Sequence, residues 1–140
     1  MKTLKIVLVS VMSFFLMSSC KAQTKTFDEL NRKWMLISFK NYKKDHFVKA
    51  KAYLKFVDKK NVYANMGCNG LNFGVKKLQK GKISFGEGMS TMMYCEGFMD
   101  LEGDFAKTLP QMKRYKINGR HLTLSDGKGN EMKFVAADWD

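Results

Sequence analysis

Val62-Tyr63-Ala64-Asn65-Met66-Gly67-Cys68-Asn69-Gly70-Leu71-Asn72-Phe73-Gly74-Val75 is the stretch from which the fold is read. Val62, Ala64 and Met66 alternate with polar or aromatic neighbours, the period of a strand with one buried face. The pattern breaks at Gly67-Cys68-Asn69-Gly70, where Asn-Gly can turn the chain. It restarts at Leu71, Phe73 and Val75. Working outward, Ala52, Leu54 and Phe56 show the same period before the Asp58-Lys59-Lys60-Asn61 turn, and Ile83 and Phe85 continue it after Gln79-Lys80-Gly81. Strands separated by short turns predict an antiparallel meander in which each strand pairs with the last. Ser90-Thr91-Met92-Met93-Tyr94-Cys95 then carries the second cysteine of this region.

Phe98, Leu101, Phe105, Leu109 and Met112 recur at spacings of three and four, which predicts an amphipathic helix. Asp100 is the expected N-cap and Pro110 marks the end. Tyr115 and Ile117, then Asn118-Gly119, then Leu122 and Leu124 predict a hairpin with a type I′ turn. Asp126-Gly127-Lys128-Gly129 leads into a last strand at Met132 and Phe134. Upstream, Trp34 to Phe39 reads as a first strand buried on both faces, and Asn41 to Lys51 as a charged loop or frayed hairpin. The fold class is therefore α+β: a single small domain with one main helix. No repeat or linker points to a second unit. Residues 137–140 read as a loose tail in which Trp139 could cover an edge.

Residues 1–19 read as a signal peptide. Lys2 and Lys5 precede the apolar run Ile6–Met17, which is too short to span a membrane as a helix. Met17-Ser18-Ser19-Cys20 resembles a bacterial lipobox, whose cysteine receives acyl chains of the palmitate type and becomes the new N-terminus. On that reading residues 20–26 are a tether, the domain spans 27–136, and Cys20 holds it in the cell envelope on the periplasmic side of a membrane. The signal removes two lysines from a formal net charge of +12, and the remaining lysines are spread without an Arg-rich stripe. Nucleic acid is not an expected partner; solubility and attraction to anionic head groups explain the charge.

For nucleophilic catalysis a cysteine needs a base, and His46 and His121 both read as solvated surface residues. No metalloprotease, nucleophile-elbow or phosphate-loop motif is present, so an enzyme is not expected and no cofactor is implied. Two binding readings stand. One is a groove lined by Phe73, Phe85, Leu101, Phe105 and Leu109 that takes a lipid chain or a partner strand. The alternative is Cu(I) held by Met89, Met92, Met93, Cys95 and Met99, since thioether and thiolate are soft ligands. Methionine is also adaptable core filler. In an exported chain, Cys68 and Cys95 pair most simply as a disulfide, and copper would need their sulfurs free.

Several of these residues fall into a known pattern. Trp34-Met35-Leu36, Gly67-Cys68-Asn69, Thr91-Met92-Met93-Tyr94-Cys95 and the spaced Glu102, Phe105, Leu109, Tyr115, Ile117, Gly119, Leu122 and Leu124 resemble the META/HslJ family over most of the chain after the signal. The resemblance implies a strongly curved, partly open antiparallel barrel with one helix. It also implies a role in envelope stress or in secretion and assembly, and pairs Cys68 with Cys95. The domain is expected to be a monomer. It implies no enzymatic activity.

Overall fold

Eight strands follow one another around a barrel in chain order, and the first hydrogen-bonds to the last. The computed structural model describes residues 19–138, with side chains described from Lys25 onward. Residues 1–18, which hold most of the stretch read as a signal, the side chain of Cys20, and Trp139 lie outside the described residues. After helix α1 (Ser19–Leu30) come β1 (Lys33–Phe39), α2 (Lys44–Ala50), β2 (Tyr53–Phe56), β3 (Asn61–Asn65), β4 (Gly70–Gln79) and β5 (Lys82–Ser90). Helix α3 (Met99–Thr108) runs into a single 3-10 turn, Leu109–Gln111, before β6 (Arg114–Asn118), β7 (His121–Ser125) and β8 (Glu131–Ala136).

The barrel is closed, not partly open as the resemblance implied. Closure comes from β1 and β8, paired from Trp34↔Ala136 to Phe39↔Met132. The opposite seam is thin: β5 meets β6 in one pair, Lys82↔Arg114, and among the described residues no strand lies beside β5 beyond Ile83 on that side. Closure also explains why β1 is not buried on both faces. Trp34, Leu36 and Phe39 point inward while Met35 and Ile37 are half-buried. A register shift between Leu36 and Ser38 returns Phe39 to the inner face.

Helix α3 closes one end of the barrel. Leu101, Phe105 and Leu109 are fully buried, and the Phe105 ring meets Phe39 and Phe73 edge-on at centroid distances of 6.2 and 6.4 Å. Trp34, Phe56 and Phe134 fill the rest of the interior, and Trp34 Nε1–H donates to Leu30 O at 3.0 Å, so the buried indole is satisfied. Phe98, not Asp100, occupies the N-cap, and Asp100 sits in the first turn.

Two helices stand where none was expected. Residues 20–26, read as a tether, are helical within α1, whose Leu30 and Thr26 are buried. The loop between β1 and β2 contains α2, which buries Phe47 and Ala50 and ends on Lys51 in the left-handed conformation. The β6–β7 turn is also shifted by one residue. Asn118 pairs with His121, so Gly119 and Arg120 are the turn; only Gly119 (φ 58°) has a positive φ, the pattern of a type II′ and not a type I′ turn.

Gly88 lies directly across from Phe73, and a Cβ built on it would fall onto the buried ring. Gly88→Ala should therefore destabilise the domain by about 1–3 kcal/mol through overpacking. Gly103, within α3, has nothing within 4 Å of its built Cβ. Gly103→Ala should stabilise by up to about 1 kcal/mol. Urea midpoints of the two variants should move in opposite directions at an unchanged slope.

Candidate functional site

The Gly67–Gly70 turn and the 91–95 segment meet above the first turn of α3, and Asn69 joins them. It is 2% exposed. Its backbone N–H donates to Glu102 Oε2 at 2.7 Å, and its Nδ2 donates to Glu102 Oε1 at 2.7 Å and to Met93 O at 2.9 Å. Its Oδ1 accepts from Thr91 Oγ1 at 2.7 Å and from the Met93 N–H at 2.8 Å. Both donors and both acceptor sites of the amide are thereby used. Asn65 braces the turn from below, donating to Asn69 O at 3.1 Å and accepting the Gly67 N–H at 2.9 Å.

Glu102 is 5% exposed, a costly place for a carboxylate unless it is hydrogen-bonded. Here it accepts two short bonds and lies in the first turn of α3, where the helix dipole favours negative charge. Gly67 adopts φ 110°, and a Cβ there would lie 2.7 Å from the Phe98 ring. Beside this knot Cys68 and Cys95 are joined in a disulfide with Cα atoms 5.7 Å apart. The family-like motifs thus converge on one fastening, centred on the Asn69 amide.

What the fastening holds is exposed. Met89 (75%), Met92 (99%), Met93 (57%) and Tyr94 (81%) lie open on one segment. The methionines are not core filler. The soft-ligand set does not assemble as drawn either: Cys95 Sγ is bonded to Cys68, and Met99, half-buried, accepts the Cys95 N–H through Sδ at 3.5 Å. The expected groove is likewise corrected. Phe73, Phe85, Leu101, Phe105 and Leu109 are at most 4% exposed and belong to one continuous core, so closure of the barrel turns these liners into packing.

His121 is exposed, as expected, but His46 is half-buried against Tyr42 and Phe98, with centroids 5.4 and 6.0 Å away, and its Nε2 has no hydrogen-bond partner. On the same side Tyr42 donates to Asp104 Oδ2 at 2.9 Å, and Lys40 Nζ lies 2.9 Å from Oδ1. Burial and the Asp104 carboxylate push the Tyr42 phenol up to about 12. Lys40 and then Tyr42 hold Asp104 below the usual carboxylate range. This triad pins the β1–α2 turn to α3 from outside. Sequence reasoning missed the Asn69–Glu102 contact. Glu102 reads naturally as an acid suiting the helix start, and the signal that could have exposed it is its place on the helix's buried stripe, one residue after Leu101.

The family model for the META domain matches residues 26–139. Among solved structures, an NMR structure of a protein from Burkholderia xenovorans is similar, with a TM-score of 0.65 at 20% identity over 84% of this chain and 89% of that one. A second NMR structure has a TM-score of 0.56 at 17% identity over 78% of this chain and 92% of the other. No curated protein matches. These likenesses show the fold.

Proposed function

Because this chain belongs to the META domain family, we propose that it is a non-catalytic accessory protein of the bacterial cell envelope, monomeric, anchored by lipid on Cys20. Its partner is an extended segment of another envelope protein, bound at the Met89–Tyr94 loop and the adjoining edge of β5. One observation carries this reading: four large apolar side chains, 57–99% exposed, sit on a segment that a disulfide and a buried polar knot hold in place. Exposed apolar patches on monomers mark interaction sites, and methionine adapts its shape to a partner. An extended segment is favoured because β5 lacks a neighbouring strand beyond Ile83. The 3-10 turn and α3 pack against β5, and its exposed end, residues 87–90, is the stretch that can take an added strand. Anchoring rests on the lipobox-like Met17-Ser18-Ser19-Cys20. Among the described residues no helix is long and apolar enough to cross a membrane.

The test places a photo-crosslinking residue at position 92 of the full-length protein in its native envelope. A discrete adduct should form, should vanish with Met89→Glu and Tyr94→Glu, and should persist with Lys128→Glu in the distant β7–β8 turn. The Cys20→Ser variant should leave the membrane fraction and lose lipid labelling. An adduct indifferent to the loop charges would end the docking reading, and a Cys20→Ser protein that still fractionates with membrane would end the anchor.

A further inference from the structure

The outer face of β6, β7 and β8 carries a second feature, remote in sequence from the Met-rich loop. The register sets Arg114 opposite Ser125 and Ser125 opposite Glu131; one step along, Lys116 faces Thr123 and Thr123 faces Lys133. Two half-buried hydroxyl residues therefore form a floor, with cationic side chains on both flanks. These residues, with Gly81 and Tyr115, line a cleft of about 400 Å³. That lies within the roughly 300–1,000 Å³ typical of small-ligand sites.

Its charge is unbalanced. Glu131 Oε2 lies 3.3 Å from Lys133 Nζ, whereas Arg114 and Lys116 form no ion pair among the described residues. The Thr123 and Ser125 hydroxyls make no hydrogen bond to any described group. A planar guanidinium, an ammonium and two hydroxyl residues lining one concavity form a donor set for a tetrahedral oxyanion. A cationic ligand would meet the net positive charge of Arg114, Lys116 and Lys133 against the one carboxylate of Glu131. We infer that this cleft binds a phosphate group, with Arg114 and Lys116 supplying charge and Thr123 and Ser125 supplying directed donors. The phosphate can come from a lipid head group or from free phosphate.

Backbone amide shifts of the full domain at physiological salt decide this. In one arm inorganic phosphate is titrated; in the other, phosphatidylcholine vesicles with and without phosphatidylglycerol are added and sedimented. Saturable shifts at Thr123 and Ser125 with inorganic phosphate identify free phosphate. Binding only to vesicles containing phosphatidylglycerol identifies a head group. In either arm Arg114→Gln with Lys116→Gln should weaken binding about tenfold or more. Lys59→Gln with Lys60→Gln removes equal charge elsewhere and should leave it unchanged. All four side chains are exposed, so thermal midpoints should hold. Binding that falls equally in both double variants would reduce the effect to net charge and overturn the site, as would an absence of binding in both arms.

Discussion

Asn69→Asp is expected to cost about 3–5 kcal/mol, the range seen when a buried, hydrogen-bonded charge loses its partner. Total stability for a domain of this kind is about 5–15 kcal/mol, so the variant should be marginal. The substitution is nearly isosteric; only the polarity of one terminal atom changes. Where Nδ2 now donates to Glu102 Oε1 at 2.7 Å and Met93 O at 2.9 Å, a carboxylate oxygen would face a carboxylate and a carbonyl. Two features separate this cause from a packing defect. A proton shared across the two carboxylates would restore a donor, so the variant should gain stability as the pH falls from 7 toward the carboxylate range near about 4. Adding Glu102→Gln should rescue part of the loss. The amide introduced at position 102 can donate through its nitrogen to the carboxylate introduced at position 69, while its oxygen still accepts the backbone N–H. Urea unfolding of the single and double variants across that pH range measures both, and a double variant no better than the sum of the singles would remove the contact from the account.

Removing the Cys68–Cys95 bond should have the second large effect. The bond spans 27 positions, for which the chain-entropy relation gives about 3.5 kcal/mol. The Cys68→Ala, Cys95→Ala variant should fold, because Asn69 still ties the two segments through three hydrogen bonds to Met93 and Thr91, with two more to Glu102 in α3. Its unfolding free energy, measured by urea titration, should fall by about that amount. Intact mass with and without alkylation should show no free thiol at these two positions in protein taken from its native compartment; two alkylated thiols there would overturn the bond. The losses from Asn69→Asp and from the cysteine pair should not add. Both act on the 91–95 segment, and once one fastening has gone the other holds a looser loop.

Strands β2 to β8 were legible because each alternates within a few residues, β1 because its apolar run is too short for a helix, and α3 because its apolar stripe persists over three turns. Closure was not, since it depends on Trp34 meeting Ala136 across the whole chain, which no local period encodes. Helix α2 was hidden because Phe47 and Ala50 turn inward while Val48, between them, is 65% exposed. Helix α1 carries too few apolar residues to show a stripe. At the site, the cysteines and Asn69 announced themselves through their motifs, whereas the exposure of Met92 did not. A methionine in an irregular segment has no alternation from which to read its direction. The phenylalanines were misassigned for a related reason: an inward-facing ring lines a groove or fills a core according to how the sheet closes around it.

The union of β1 with β8 also bears on the order in which this domain can be made. Neighbouring strands pair as they emerge, but β1 has no second partner until β8, close to the C-terminus, has appeared. Loop-closure entropy for that pairing is met last and spans nearly the whole chain. Until then the chain is an open ribbon with two bare margins. A polypeptide of this design stays unfinished throughout its synthesis, and becomes a barrel only once β8 is delivered.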